Sequence, residues 1–193
     1  MADTKISDMT PASLPLDGTE LVPIVQGGVN KKTTTGDLAE VFRSYGAWSD
    51  STDQTGNIAA GTVMTYNTQD VTDTVTLVDN SKITVPNTGI YDLQFSAQFR
   101  NTDNSQHEVV VWFKVNGLNL ANSATRITVP ARKNNNIYGY MVAAWNIFLD
   151  MNSGDYVEIF WQPSSALITM EHDAAGATYP AIPSVIVTIQ QVA

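Results

Sequence analysis

The clearest pattern in the chain is the alternation across Gly89-Ile-Tyr-Asp-Leu-Gln-Phe-Ser-Ala-Gln-Phe99. Tyr91, Leu93, Phe95, Ala97 and Phe99 fall on one face of an extended strand, and Asp92, Gln94, Ser96 and Gln98 fall on the other. Burying four large apolar side chains contributes on the order of 10 kcal/mol before conformational entropy is subtracted, which predicts a central strand with one core face and one wet face. Further strands are predicted at 62–66, 74–78, 82–85, 108–115, 137–149, 156–161, 167–171 and 184–192. Turn residues separate them at Pro86-Asn-Thr-Gly89, Asn116-Gly117, Asn152-Ser-Gly-Asp155 and Ala174-Ala-Gly176. No helical period follows residue 46. Strands at this spacing without crossover helices predict an all-β antiparallel sandwich and exclude a parallel α/β sheet.

Two strands carry more apolar surface than a lone sandwich needs. Tyr138 to Leu149 is apolar on both faces, and Val109 to Val115 is similar except for Lys114. A sandwich strand requires one apolar face, so the surplus predicts a second contact surface, and a copy of the same chain is the simplest one.

The first 45 residues follow a different pattern. Glu20 to Gln26 is a short β-type run, Gly27-Gly28 suits a tight turn, and Asn30 to Thr35 is the return arm of a hairpin in which Pro23 removes one ladder donor. Asp37 caps or opens a helix of two to three turns with Leu38, Val41, Phe42 and Tyr45 on one face. So little apolar surface cannot fold alone, and this segment is expected to dock on something. Residues 46–61, GAWSDSTDQTGNIAAG, show neither period and are expected to be a linker. The predicted organisation is an attachment segment over 1–45, the linker, and a sandwich over 62–193.

Composition narrows the function. Only 15% of the 193 residues are charged, against about 25% in an average soluble domain, so the polar surface is mostly amide and hydroxyl. The net charge of −9 disfavours nucleic acid, whose binding rests on Lys and Arg. The absence of cysteine removes disulfides, thiolate nucleophiles and thiolate metal sites. No apolar run has signal-peptide or membrane-spanning length, so synthesis in the cytoplasm and no membrane partner are expected.

Candidate chemistry is sparse. His107 and His172 have neither a serine elbow nor zinc-type spacing, so no catalytic triad, metal or other cofactor is expected and the chain reads as non-enzymatic. Glu171-His172-Asp173, the densest polar cluster, reads as a solvated loop rather than a metal site. Asp150, Asp155 and Glu158 flank one turn and read as turn residues rather than a glycosidase pair. Trp112, Trp145 and Trp161 lie in apolar strands and read as core or oligomer interface, with Trp48 in the linker. Arg126, Arg132 and Lys133 beside Asn134-Asn-Asn136 form a basic loop that reads as a solvated tip.

Two stretches resemble known families. Lys5-Ile-Ser7, Gly18-Thr-Glu-Leu21, Pro23-Ile-Val-Gln-Gly27, Lys32-Thr-Thr and Asp37-Leu38 resemble the N-terminal attachment segment of tail-fibre, head-fibre and decoration proteins of tailed phages. This resemblance implies docking on a capsid or neighbouring virion protein through Leu21, Pro23, Ile24, Val25, Lys31, Lys32, Leu38 and Phe42. Residues 60–193 resemble the jelly roll of the tumour-necrosis-factor and complement-head superfamily. Ile83-Thr-Val-Pro86, Gly89-Ile-Tyr91, Val111-Trp-Phe-Lys-Val-Asn-Gly117, Gly154-Asp-Tyr-Val157 and Ile182-Pro-Ser-Val-Ile-Val187 carry this likeness. It implies a homotrimer with an aromatic interface, for which Trp112, Tyr138, Tyr140, Trp145, Phe148 and Phe160 are the candidates. The expected function is a trimeric capsid decoration protein or head fibre on the outer surface of the virion, favoured over a tail fibre because the chain is short and lacks a shaft. The alternative is a receptor-binding adhesin for host surface glycan. A bacterial jelly-roll signalling module leaves residues 5–38 unexplained.

Overall fold

The computed structural model describes residues 13, 16–40 and 44–193, which fall into two compact units that divide after Arg43. In the first, β1 (Leu21–Gln26) and β2 (Val29–Thr34) form an antiparallel hairpin. Gly27 and Gly28 turn it with φ of +62° and +76°, the left-handed pair that a two-residue type I′ connection requires. Helix α1 (Thr35–Glu40) follows at once. Its cap is reciprocal: the Asp37 amide donates to Thr34 Oγ1 (3.0 Å) and the Thr34 amide donates to Asp37 Oδ2 (3.1 Å). Thr34 is therefore the capping residue, and Asp37 lies one turn inside. Glu20 ties the entry loop to the helix: its carboxylate accepts from Thr35 Oγ1 (2.6 Å) and from the amides of Asp17 (2.9 Å) and Gly18 (3.0 Å). These bonds hold the Glu20 carboxyl down at about 2.

The second unit is a two-sheet antiparallel β-sandwich. Its strands are β3 (Tyr45–Asp50), β4 (Gln54–Thr55), β5 (Thr62–Val63), β6 (Thr68–Asp73), β7 (Thr76–Val78), β8 (Lys82–Thr84), β9 (Gly89–Asn101) and β10 (His107–Val115). They continue with β11 (Leu118–Asn119), β12 (Thr125–Val129), β13 (Gly139–Met151), β14 (Tyr156–Pro163), β15 (Ile168–Met170) and β16 (Val185–Gln191). In sheet I, β13 pairs with one side of β9, and β16 and β15 share the other. β3 follows β16, β4 follows β15, and β6 lies beyond β3. In sheet II, β10 and β14 are central, with β12 and β11 outside β10, β8 and β5 outside β14, and β7 beyond β8.

Eight of these strands form four nested antiparallel pairs: β3 with β16, β8 with β14, β9 with β13 and β10 with β12. The inner faces of the two sheets meet through the alternating residues read from the sequence. Phe95 of sheet I meets Phe113 of sheet II edge to face at 5.8 Å, and Phe99 meets Trp161 at 5.4 Å.

Three expectations are corrected. Residues 46–61 are not simply a linker, because Tyr45–Asp50 is a sheet strand whose Trp48 is 1% exposed in the core. Gly46 makes room for it, since a methyl group there would stand 2.1 Å from the Trp48 ring. Tyr45 opens β3 instead of joining the helical face expected with Leu38, Val41 and Phe42, of which Val41 and Phe42 lie outside the described residues. A six-position ladder with β16 and the burial of Trp48 outweigh one more turn of isolated helix. Finally, β6 and β12 lie where the sequence predicted no strand.

Candidate self-assembly surface

Strand β13 pairs along its whole length with β9, from Gly139 opposite Asn101 to Met151 opposite Gly89. Among the described residues its other side has no sheet partner. It is a long edge strand, with a row of backbone donors and acceptors free for pairing. Its inward side chains include Ala143, Leu149 and Met151, all buried, and Trp145, which packs edge to face on Phe95 at 4.6 Å and Phe113 at 6.4 Å. Its outward side chains Tyr140, Val142 and Phe148 are exposed, Phe148 at 63%. The surplus apolar face of this strand therefore points to solvent.

The register extends this surface across sheet I. Phe148 lies in one row with Asp92, Gln190 and Tyr45. The next outward row is Asn146, Gln94, Thr188 and Ala47, and the one after it Ala144, Ser96, Ile186 and Ser49. Short side chains leave a shallow depression of about 350 Å³ over Ala47, Gln94 and Thr188. Asp92, near its rim, accepts from Gln94 Nε2 (3.0 Å) and Asn146 Nδ2 (3.3 Å), so its charge is held by neighbouring amides. The surface is shallow, weakly charged and bordered by apolar groups from β13.

One end carries a charged cluster. Arg100 on β9 makes a close ion pair with Glu171, lies 3.8 Å from Asp53, and stacks on the Tyr138 ring at 5.3 Å. Glu171 is buried, which corrects the expectation of a solvated Glu171-His172-Asp173 loop: the cost of burying the carboxylate is offset by the guanidinium brought alongside it. Burial pushes the Glu171 carboxyl above its ordinary range, against the pull of Arg100. Partial burial, reinforced by Glu171 and Asp173, also raises the Tyr140 phenol. The His172 amide donates to Asp53 Oδ1 at 2.8 Å. No group of three metal-ligating side chains is present among the described residues.

The aromatic residues expected at a single interface are divided between the two sheets. Tyr140 and Phe148 lie on the outer face of sheet I, Tyr138 at its charged end, and Trp145 on the inner side of β13. Trp112 and Phe160 are paired at 5.6 Å on the outer face of sheet II. In the first unit, Leu21 (62% exposed), Pro23, Val25 (71%), Lys32 and Leu38 face solvent, Ile24 is half-buried, and Lys31 donates to Gln26 Oε1 at 2.9 Å. Phe42 and residues 5–7 lie outside the described residues. The signal that sequence reasoning missed is Arg100, which continues the polar row of β9 past Gln98 and meets its partner 71 positions later. No protein-family model matches the chain, and a search of curated proteins finds no significant match.

Proposed function

We propose that the chain is a structural protein of a phage virion: a trimeric knob of jelly-roll topology, held to the capsid or a neighbouring virion protein by its N-terminal hairpin and helix. The observation that carries the proposal is β13, a 13-residue edge strand with Tyr140, Val142 and Phe148 exposed along it. An edge meeting a face is a heterologous contact, and three such contacts close a ring. The complementary face in this reading is the outer surface of sheet I. The four nested pairs support the jelly-roll reading, since that fold folds a doubled chain back on itself across two sheets. Exposed Leu21, Val25 and Leu38 among the described residues of the first unit support the docking role.

Within this reading the protein is a capsid decoration protein or head fibre, with a tail fibre or glycan-binding adhesin as the alternative. Purified protein should have a mass near three times 20.9 kDa, and a monodisperse monomer at micromolar concentration refutes the trimer. Deleting residues 1–43 should abolish association with particles while the remainder stays folded and trimeric. Retained association refutes the docking role. Immunogold label confined to the tail tip would move the protein from capsid to tail.

A further inference from the structure

We infer that the outer face of sheet II carries a binding site for a neutral saccharide, built on Trp112. A shallow depression of about 290 Å³ lies between β10, β14 and the segment after β11. Its apolar part is Trp112, Val110, Leu120 and the exposed Ala124, and its polar part is Asn119, Asn122 and Gln162. None of the described residues lining it is ionisable. The nearby cations are engaged elsewhere: Lys114 Nζ lies 3.9 Å from the centre of the Phe160 ring, and Arg126 pairs with Glu108 at 3.1 Å.

The platform is held in place. Trp112 Nε1 donates to Asn119 Oδ1 at 3.0 Å, which fixes the indole and leaves its π-surface for contact rather than its N–H. The rim is anchored as well. The Leu120 amide donates to the Phe113 carbonyl at 2.9 Å, and buried Ser123 accepts from the Phe113 amide at 3.1 Å and donates to the Leu120 carbonyl at 2.8 Å. These bonds pin residues 120–123 onto β10, so the site is formed before any ligand arrives. Gln162 Nε2 is spent on the Ile58 carbonyl (2.8 Å), which leaves its oxygen as an acceptor, while the Asn122 amide makes no hydrogen bond among the described residues.

The ligand class follows from this lining. An aromatic face takes a ligand with a C–H face, carboxamides offer both donors and acceptors to hydroxyl groups, and the lack of charge gives no purchase to an anion or cation. A pyranose ring with its apolar face on Trp112 and its hydroxyls toward Asn119, Asn122 and Gln162 meets all three conditions. The site lies on the sheet opposite the proposed trimer contact and does not depend on oligomeric state.

The test uses the full-length protein on a printed array of neutral and acidic glycans, followed by a tryptophan-fluorescence titration with the strongest neutral oligosaccharide on the array. Neutral glycans are expected to bind. Trp112→Leu, which keeps apolar bulk on the strand, should weaken the titrated affinity at least tenfold. Ala124→Arg, which fills the depression without touching the core, should do the same with an unchanged melting temperature. An array without neutral binders, binding confined to acidic glycans, or an affinity unchanged in a folded Ala124→Arg variant overturns the proposal.

Discussion

Phe148→Asp is expected to dissociate the proposed trimer without unfolding the subunit. Phe148 is 63% exposed, and a phenylalanine side chain offers about 200 Å². Covering it against a second copy would remove about 120 Å² from water, worth about 3 kcal/mol at ~25 cal/mol/Å². A closed trimer contains three such contacts. Even half the total, about 4.5 kcal/mol, shifts the trimerisation equilibrium by about three orders of magnitude. The neighbouring Leu149, 3% exposed, provides the contrast, because Leu149→Asp places a charge in the core and should abolish folding. Light scattering behind size exclusion at micromolar concentration reads the mass, and thermal denaturation followed by circular dichroism shows that the Phe148 variant is folded. A folded Phe148→Asp protein with the wild-type trimeric mass would refute the assignment of this edge as the contact.

Trp48→Ala should cost about 3 to 5 kcal/mol in urea denaturation, because the indole is fully buried and its removal leaves a large cavity in the core. Arg100→Met strands the buried Glu171 carboxylate and should cost about 3 kcal/mol, with much of the loss recovered in the Arg100→Met, Glu171→Gln double variant. Glu20 is held at about 2 against an ordinary value of 4.5, so its contribution to the hairpin unit is fully present above about 4.5 and is lost as pH falls through 2. The protection of the Asp17 and Gly18 amides in hydrogen exchange, taken relative to their intrinsic rates, should therefore fall across that window, while that of Gly89–Asn101 in the sandwich should not follow the same titration.

What was legible in the sequence was whatever one strand's own alternation could announce. The alternation of β9 gave its core face directly, and the two-sided apolar pattern of β13 gave its surplus. Strand β3 was hidden because its inward positions are Gly46, Trp48 and Asp50: one glycine that exists to make room, one tryptophan, and one carboxylate that accepts from the Thr52 amide and Asn67 Nδ2. Only one of the three looks like core. Strand β6, Thr-Gln-Asp-Val-Thr-Asp, is an edge strand with no apolar face, so its place rests on backbone pairing with β3, which leaves no mark in side-chain pattern. The outer surfaces were obscured for another reason. Alternation separates Trp112 from Val111, but it cannot say that the outward row of β10 and the outward row of β13 belong to different sheets. The Arg100–Glu171 pair is invisible for the same reason, since its proximity is created by β15 lying beside β9.

The nesting of the four strand pairs sets an order of assembly. β10 and β12 are close in the chain and can meet early, β9 and β13 close around them, and β3 and β16 come together across the longest loop in the unit. Closing so large a loop must precede the contacts that reward it, which places this sandwich among slow folders. The first strand of the sandwich to leave the ribosome thus waits longest for its full set of neighbours, because the ladder that flanks Trp48 on the β16 side can form only after residues 185–191 have been made.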